Sequence, residues 1–333
     1  MPRLLPTVQD YAPVIQETTK MDSNSSIFLA RDLLYKEAKA IKEEFPNLIM
    51  RNLFPVNNIG KGFEQIQVKT KTSFGDFAVV GPKTTDLPKI SGGVNETFNG
   101  IKLLGASVEW TKKEMDAATR LNIPLQSDDL MDAREIAEMK IDNLLFRGSP
   151  NDSIKGLISF FDNYSRYDLP TDGSGASLRE RQRIVKKIPS KVIRDFNGII
   201  DAINNASLGT KRCSRVLVST NIYNFLAGTK SSDDGTGDTT LLDFISRTKK
   251  VEIIDNYKFN AVPECNDEDL IVGMVTDARV ATAEVPVEFE MEQIEKKGFV
   301  YNVDCSFEIS GIKMIYPKAF SYAYPDATTD IIP

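Results

Sequence analysis

The stretch "REIAEMKIDNLLFRGSPNDSIKGLISF" occupies residues 134–160, and the fold interpretation begins from it. Its first half places apolar residues at the three-and-four spacing of an amphipathic helix, and the polar, acidic residues 127–129 precede it. We predict a helix of about 20 residues at 127–147, about 30 Å long at 1.5 Å per residue. Gly148 ends this helix, and Gly156 follows in a polar turn. The stretch contains no catalytic motif, so a structural role is predicted.

Overall composition is that of an ordinary globular protein. The chain has 333 residues, of which 41% are hydrophobic and 26% charged. No apolar run reaches the roughly 18 residues that a membrane span needs, and the first residues do not read as a secretory signal. The net charge is −6 with both signs interleaved, which disfavours a dedicated nucleic-acid binder. We therefore expect no membrane partner.

Histidine is absent from the chain, and this excludes many enzyme mechanisms. A Ser-His-Asp triad, a Cys-His dyad and a histidine-ligated zinc site all require it. Cys213, Cys265 and Cys305 form neither a disulfide framework nor a C-x-x-C motif, and we expect buried, reduced thiols. We predict no catalytic residues, no cofactor and no metal. A histidine-free enzyme that uses carboxylates and magnesium remains a third alternative.

The N-terminal third combines an arm, a helix and extended strands. Residues 1–25 are interpreted as an extended arm, and 26–45 as an amphipathic helix that Pro46 ends. "FEQIQVKTK" then alternates apolar and polar residues and predicts a half-exposed strand. A second strand is predicted at 101–110 and ends at Trp110, which we interpret as a packing anchor. The long polar connection between these strands predicts an extended β-arm that a partner subunit would cover.

An α/β pattern follows at about 190–280, and the tail is again β. A strongly periodic helix follows Pro189, and "RVLVS", "VEIID" and "DLIVGMVTD" predict buried strands separated by two short helices. Residues 299–309 alternate without a break, and the alternation shifts by one residue after Gly311. That shift predicts a bulge or a tight bend.

The loop "TKSSDDGTGDTT", residues 229–240, is the most polar motif of the chain. Asp233, Asp234 and Asp238 are oxygen ligands of the kind that calcium prefers, but their spacing is not that of a calcium loop. The G-K-[ST] ending of a phosphate-binding loop is absent. We interpret this segment as an exposed loop that joins two helices.

Five segments, in this order, resemble the major capsid proteins of tailed phages of the Hong Kong 97 type, in their encapsulin-like branch. They are "DLPKISGG", "VEWTKKEMDAA", "NLLFRGSPNDSIKGLISF", "VLVSTNIYNFLAGT" and "GIKMIYPKAFSYAYPD". The resemblance covers about residues 26–326. It implies an α+β fold of the phage capsid type, with residues 1–50 as N-terminal arm and helix and 51–110 as extended loop. Residues 111–184 and 285–333 would form the peripheral domain with its spine helix, and 185–284 the axial domain.

The resemblance also implies a function. The chain would be a structural subunit, not an enzyme, that self-assembles through pentamers and hexamers into an icosahedral virion capsid around double-stranded DNA. Assembly would take place in the host cytoplasm, with portal, separate scaffold and decoration proteins as possible partners and only non-specific contact with DNA. The assembly residues would be Ile66, Val68, Lys69, Phe74 and Phe77 in the extended loop and Asp233, Asp234 and Asp238 in the axial loop. The alternative is an encapsulin-like shell around an enzyme cargo.

Overall fold

Helices and strands differ greatly in length, and the longest element of the described residues is a helix of 22 residues. The computed structural model describes residues 46–79, 89–121, 125–235 and 237–326. The predicted arm at 1–25 and the predicted helix at 26–45 lie outside these residues.

The helices are α1 (Met50–Leu53), α2 (Lys112–Leu121), α3 (Leu125–Phe146), α4 (Leu178–Gln182), α5 (Pro189–Ala206), α6 (Thr220–Gly228) and α7 (Leu241–Lys249). The strands are β1 (Val56–Asn57), β2 (Gln65–Phe74), β3 (Ser91–Gly100), β4 (Lys102–Thr111), β5 (Gly148–Ser149), β6 (Ile154–Lys155), β7 (Ser165–Arg166), β8 (Arg215–Ser219), β9 (Glu252–Asn256), β10 (Ile271–Met274), β11 (Ala281–Glu284), β12 (Val287–Met291), β13 (Glu295–Lys297), β14 (Val300–Ile309), β15 (Gly311–Met314) and β16 (Phe320–Ala323).

Helix α3 is the predicted spine helix, and a buried carboxylate anchors it. Ile141 and Leu145 on its apolar side are fully buried. Asp142, also buried, accepts a hydrogen bond from the Met50 backbone N–H at 2.8 Å and forms an ion pair with Lys258. Because buried charges are stable only when they are paired, Asp142 holds α3 against two segments that are distant in the sequence.

Two glycines end α3 and turn the chain back against it. Gly148 has a φ of +78°, and a Cβ at this position would lie 2.5 Å from the Ile154 carbonyl oxygen. A Cβ on Gly156 would lie 2.3 Å from the Gly148 backbone nitrogen. Only glycine allows so close a backbone approach. The turn allows the Leu157 N–H to donate to the Leu145 carbonyl at 2.8 Å.

The first sheet has five short strands in the order β1-β11-β15-β6-β5. Strand β1 is parallel to β11, and β11 is antiparallel to β15. Its apolar side chains share one core with α1 and α3. Gly311 begins β15 with a φ of +94°, directly after β14 has ended in a different sheet. The predicted shift at Gly311 is therefore a tight bend at which the chain changes sheets.

The second sheet, in the order β7-β16-β10-β8-β9, belongs to the predicted α/β block. Strands β8 and β9 are parallel, with α6 and α7 in the connection between them. The residues of α5 that are fully buried in the core of this block are Val192, Phe196, Ile199 and Ile203. Strands β7 and β16 come from segments that the sequence analysis assigned to the peripheral domain. They nevertheless join this sheet, because β16 pairs with β10.

Strand β14 is the central strand of the third sheet. It pairs antiparallel with β4 over ten residues along one edge and with β12 and β13 along the other. Trp110 at the end of β4 is 3% exposed, and its Nε1–H donates to Asp129 Oδ2 at 2.6 Å. The interpretation of Trp110 as a packing anchor is confirmed, because this contact fastens the sheet to α3.

The predicted extended β-arm is a two-stranded hairpin, but its second strand is not the one that the sequence predicted. Strand β2 pairs antiparallel with β3 over ten residues. Strand β3 lies in the segment that we interpreted as a polar connection, and the strand predicted at 101–110 is β4 of the third sheet. The sequence of β3, "SGGVNETFNG", lacks apolar alternation because most of its residues are exposed on both faces.

The three cysteines are free and buried, as predicted. Burial raises the pKa of the Cys213 and Cys265 thiols to about 12. Both thiols are therefore protonated at neutral pH, and a protonated thiol is a poor nucleophile and a poor metal ligand.

Candidate assembly surfaces

The extended hairpin, which we define as residues 65–79 and 89–100, presents two different faces. Alternate residues of a strand point to opposite sides, so Ile66, Val68 and Phe74 share one face and Lys69 lies on the other. Ile66 and Val68 are buried, whereas Phe74 is 61% exposed. The first face is thus covered near the base of the hairpin and open toward its far end.

The second face, which we call the lysine-bearing face, combines a polar network with exposed apolar side chains. Lys69 Nζ lies 3.2 Å from Glu96 Oε1, and Gln67 Nε2 donates to Glu96 Oε2 at 2.8 Å. Val94 and Phe98 lie on this same face and are 61% and 58% exposed. Exposed apolar side chains grouped in this way mark contact surfaces.

The far end of the hairpin adds further apolar residues that have no core to pack in. Phe77 is 87% exposed. Sequence reasoning selected Phe74 and Phe77 but missed four exposed residues, Val79, Ile90, Val94 and Phe98. The available signal was the occurrence of large apolar residues within a glycine-, threonine- and asparagine-rich segment.

The predicted axial loop, residues 229–240, joins α6 and α7 as expected, and its three aspartates have different roles. Asp233 Oδ1 accepts a hydrogen bond from the Ser190 backbone N–H at 2.8 Å, in the first turn of α5. The first N–H groups of a helix lack intrahelical partners and favour negative charge. Asp233 therefore caps α5 although it is exposed, and Asp234 and Asp238 are exposed as well.

A strongly acidic surface, which the sequence analysis did not find, lies on the side of the third sheet that faces away from α3. The strand registers bring carboxylates from β4, β12, β13 and β14 onto this side. Its opposite side is apolar, with Val303, Cys305 and Phe307 buried. We call it the acidic sheet face, and its carboxylates are Glu109, Glu290, Glu292, Glu295, Asp304 and Glu308.

Two lysines offset only part of this charge. Lys61 pairs with Glu290, and Lys297 Nζ lies 3.5 Å from Glu295 Oε2. The hydrogen bond to Glu290 raises the pKa of Lys61, and the charges of further carboxylates on this face raise it as well. Among the described residues of this face, six carboxylates against two ammonium groups leave four negative charges.

Two acceptor atoms on this face lack hydrogen-bond partners. Asn302 is 9% exposed, and its Nδ2 donates to Asp304 Oδ1 at 2.8 Å, which fixes the orientation of its amide. Asn302 Oδ1 and Glu308 Oε2 are both buried without a partner. Leaving a buried acceptor unsatisfied costs about 1–3 kcal/mol.

A cavity of about 340 Å³ beside α4 is lined by Arg183 and Glu268. These two side chains form a two-point pair, with Nη2–Oε1 and Nε–Oε2 distances of 2.7 and 2.9 Å. The pair satisfies both groups, and the carboxylates of Asp267 and Asp269 also line the cavity. No group of three or more acidic or thiol side chains among the described residues is arranged to hold a metal. In the same residues, no helix is long and apolar enough to cross a membrane.

Comparison with protein families and solved structures gives a consistent result. The model of a family described as major capsid protein matches residues 75–324. A search of curated proteins finds no match.

Among solved structures, the capsid protein of Myoviridae phage XM1 has a TM-score of 0.76 at 18% identity, covering 91% of this chain and 100% of that one. A chain of Mycobacterium phage Bobi has a TM-score of 0.60 at 11% identity, covering 89% and 97%. A virus-like particle from Pyrococcus furiosus has a TM-score of 0.50 at 14% identity, covering 82% and 90%. At these identities the likeness is one of fold.

Proposed function

The chain belongs to the major capsid protein family, and on this premise we propose that its copies form pentamers and hexamers of an icosahedral shell around double-stranded DNA. It is a structural capsid subunit with the Hong Kong 97-type fold of tailed phages. Closed shells use the same heterologous contacts many times around symmetry axes, so each single contact can be weak.

The observation that supports this assembly is the exposed apolar surface of the extended hairpin. A two-stranded ribbon is at best marginally stable alone in water. Here Phe74, Phe77 and Phe98 are all more than half exposed. Covering them with a neighbouring subunit removes this apolar surface from water, worth about 25 cal/mol per Å². The hairpin is therefore the main contact that we assign between neighbouring subunits.

We propose the following assignment of residue ranges to the domains of the capsid subunit. Residues 1–50 form the N-terminal arm, and 51–110 contain the extended loop that lies across a neighbour. Residues 111–184 and 285–333 form the peripheral domain, and 185–284 form the axial domain around the five- and six-fold axes. The loop with Asp233, Asp234 and Asp238 would then lie near such an axis.

A shell around an enzyme cargo has less support than a genome shell, because the family match and the XM1 likeness are both to capsid proteins. Nuclease-protected DNA in purified particles would support the genome shell, and a co-purifying enzyme would support the cargo shell. We propose no catalytic activity.

We propose that contact with packaged DNA is weak and non-specific, because the chain carries a net charge of −6. Tight binding of DNA to the inner face of assembled shells, with a steep salt dependence, would contradict this.

Assembly in the host cytoplasm, together with separate portal, scaffold and decoration proteins, completes the proposal.

The first experiment measures the mass of the purified protein by size-exclusion chromatography with light scattering, followed by negative-stain imaging. We expect rings or closed shells from the wild type. The double variant Phe74→Ser/Phe77→Ser should remain a folded subunit, because neither side chain is in the core. The control Leu121→Ser removes a similarly exposed apolar residue of α2, outside the hairpin and the axial domain, and should still assemble.

A wild-type chain that stays monomeric even when crowded would contradict the proposal. Normal shells from the double phenylalanine variant would show that the hairpin is not the main contact.

A further inference from the structure

Leu208 is an exposed apolar side chain on a well-fixed turn that follows α5. It is 90% exposed and has a φ of +53°, a left-handed conformation that favours glycine over residues with a side chain. The hydroxyl of the buried Ser207 accepts from the Lys211 N–H at 3.2 Å. The Gly209 N–H donates to the Asn204 carbonyl at 2.8 Å. These hydrogen bonds hold a strained, exposed leucine in solvent, and such a residue indicates a binding surface.

Two further cations lie at the same end of the second sheet, where the parallel strands β8 and β9 begin. Arg212 and Lys250 come shortly before these strands, whose first residues pair with each other. Both side chains are exposed and make no ion pair with a described residue. Three other cations at this end already have acidic partners, in the pairs Lys211–Asp277, Arg215–Glu252 and Lys249–Asp201. We call the surface formed by Leu208, Arg212 and Lys250 the basic end.

The cavity of about 340 Å³ beside α4 lies at the opposite end of the same sheet. Strand β10 is antiparallel to β8, with Ile271 opposite Val218, so residues 267–269 lie where β8 ends. The charged side chains that line the cavity are Asp267, Glu268 and Asp269 against Arg183 alone, which leaves two negative charges. The buried apolar side chains that line it are Leu169, Ile184, Ile222 and Ile271. We call it the acidic cavity.

The acidic cavity is open to solvent, and its rim is strained as well. Ala261 and Asp267 line it, are both exposed, and have φ values of +44° and +56°. The Asp267 carboxylate makes no ion pair with a described residue. Apolar walls that face an open space lack the contacts that a packed side chain would supply. The cavity therefore favours an apolar side chain that brings positive charge with it.

A second copy of the chain supplies such a group. Leu208 cannot enter the cavity of its own subunit, because the two surfaces lie at opposite ends of β8, about 16 Å apart along a strand of five residues. DNA phosphates would match the two cations but not the exposed leucine beside them, so the basic end of a neighbouring subunit is the better partner. A contact between two different ends of one domain is heterologous, repeats head to tail and closes into a ring when the rotation fits.

We propose that the basic end of one subunit binds the acidic cavity of the next, with Leu208 inside the cavity and Arg212 beside Asp267. This inference rests on the proposed function, because it requires subunits in contact around a symmetry axis. It gives that contact an apolar anchor, a receiving cavity and a direction. Anchor residues in pockets contribute most of the binding energy of an interface, and charge pairs mainly determine which partner surface is selected.

The variant Leu208→Gly separates assembly from folding. Glycine relieves the left-handed strain, so the urea midpoint of the unassembled subunit should be unchanged or higher. The protein concentration needed for rings or shells, measured by size-exclusion chromatography with light scattering, should nevertheless rise by about tenfold or more, because the anchor is lost. Leu208→Met keeps an apolar anchor and should assemble within about threefold of the wild type.

A charge-swap experiment tests the direction of the contact. Arg212→Glu and Asp267→Lys, made separately, should each raise the concentration needed for assembly by about tenfold, and the double variant should recover most of this loss because the reversed charges attract again. Asp267→Asn is the second variant if Asp267→Lys does not fold, because asparagine tolerates a positive φ. Lys113→Glu and Asp116→Lys are matched controls on the exposed side of α2 and should assemble normally.

The possible results separate the inference from the proposed function. A folded Leu208→Gly subunit that assembles poorly, together with recovery by the charge-swapped pair, supports the contact. If Arg212→Glu impairs assembly but Leu208→Gly does not, the basic end binds a polyanion such as packaged DNA, and the inference is overturned. If neither change matters while Phe74→Ser/Phe77→Ser still blocks assembly, the inference fails and the proposed function stands. A wild type that never assembles overturns both.

Discussion

We expect Asp195→Asn to lower the free energy of unfolding of the unassembled subunit by about 3 kcal/mol. Asp195 is fully buried on α5, and its carboxylate accepts from Lys187 Nζ at 2.5 Å and from Arg194 Nη2 at 2.8 Å. Asparagine keeps the shape but removes the charge, which leaves the buried Lys187 ammonium without its main partner. Removing one partner of a buried ion pair costs about 3–5 kcal/mol. We place the value at the lower end because Asp172 Oδ1 remains 3.5 Å from Lys187.

A double-mutant cycle shows whether the pairing itself accounts for this cost. Lys187→Met leaves Asp195 bonded to Arg194, so we expect it to cost only about 1–2 kcal/mol. The double variant Lys187→Met/Asp195→Asn should be more stable than Asp195→Asn alone, because no unpaired charge stays buried. The assay is urea unfolding followed by circular dichroism, with an unchanged denaturant slope as the sign that only stability has changed.

Asp168→Asn is the matched control, because its carboxylate is 83% exposed and pairs with Arg166 at the surface. Exposed pairs contribute about 0–1 kcal/mol. The reasoning is refuted if Asp195→Asn costs less than 1 kcal/mol, or if the double variant is less stable than the sum of the single variants predicts.

Three further predictions concern backbone geometry and thiol chemistry. Gly156→Ala should destabilise the subunit by more than about 2 kcal/mol in urea unfolding, whereas Gly209→Ala, which has a positive φ but no atom within 4 Å, should cost only about 1 kcal/mol. Lys250→Gly should raise the free energy of unfolding by about 1 kcal/mol, because Lys250 ends α7 in the left-handed conformation, which glycine adopts without strain. Cys213 and Cys265 should react with a chromogenic thiol reagent near pH 8 only after unfolding, and rapid reaction of the native subunit would contradict their burial.

Local periodicity allowed most elements with one buried side to be predicted from the sequence. Strand β14 was predicted at 299–309 because its apolar residues alternate with polar ones, and α5 was predicted because its isoleucines recur at helical spacing. Both patterns exist because one side of each element packs in a core. Strand β3 has no such side, since it pairs with β2 and otherwise faces solvent. The sequence therefore contained no signal for it.

The acidic sheet face could not be predicted for a different reason. Five of its carboxylates lie between Glu290 and Glu308, and the sixth, Glu109, lies far earlier in the chain. The acidic stretch "EFEMEQIE" at 288–295 does not show that Glu109, Asp304 and Glu308 share its face. They meet only because β14 pairs with β4 along one edge and with β12 and β13 along the other. Pairing of distant strands depends on the whole fold, and a local pattern does not encode it. For the same reason, the sequence did not reveal that Asp233 caps α5.

The stability of the subunit should be constant between about pH 5 and pH 8, because the chain has no histidine to titrate in this range. Below about pH 5, the stability depends on carboxylates whose pKa values are lowered in the folded state. The backbone N–H groups of Ala176 and Ser177 lower the pKa of Glu180, and that of Arg279, together with Lys211, lowers the pKa of Asp277. A carboxyl whose pKa is lower in the folded than in the unfolded state contributes stability above its unfolded value of about 4. That stability is lost as the pH falls through the folded value.

Stability should also fall above about pH 8, but for a different reason. Burial raises the pKa of Cys213 and Cys265 to about 12, so the folded thiols keep protons that the unfolded thiols release above about pH 8.5. The unfolded state then binds fewer protons, and stability falls as the pH rises toward 12. Urea midpoints measured from about pH 4 to pH 10 should therefore describe a flat centre with two falling ends. A transition centred between pH 6 and pH 7 would contradict this account, because it would require a side chain whose pKa is displaced by several units in the folded subunit.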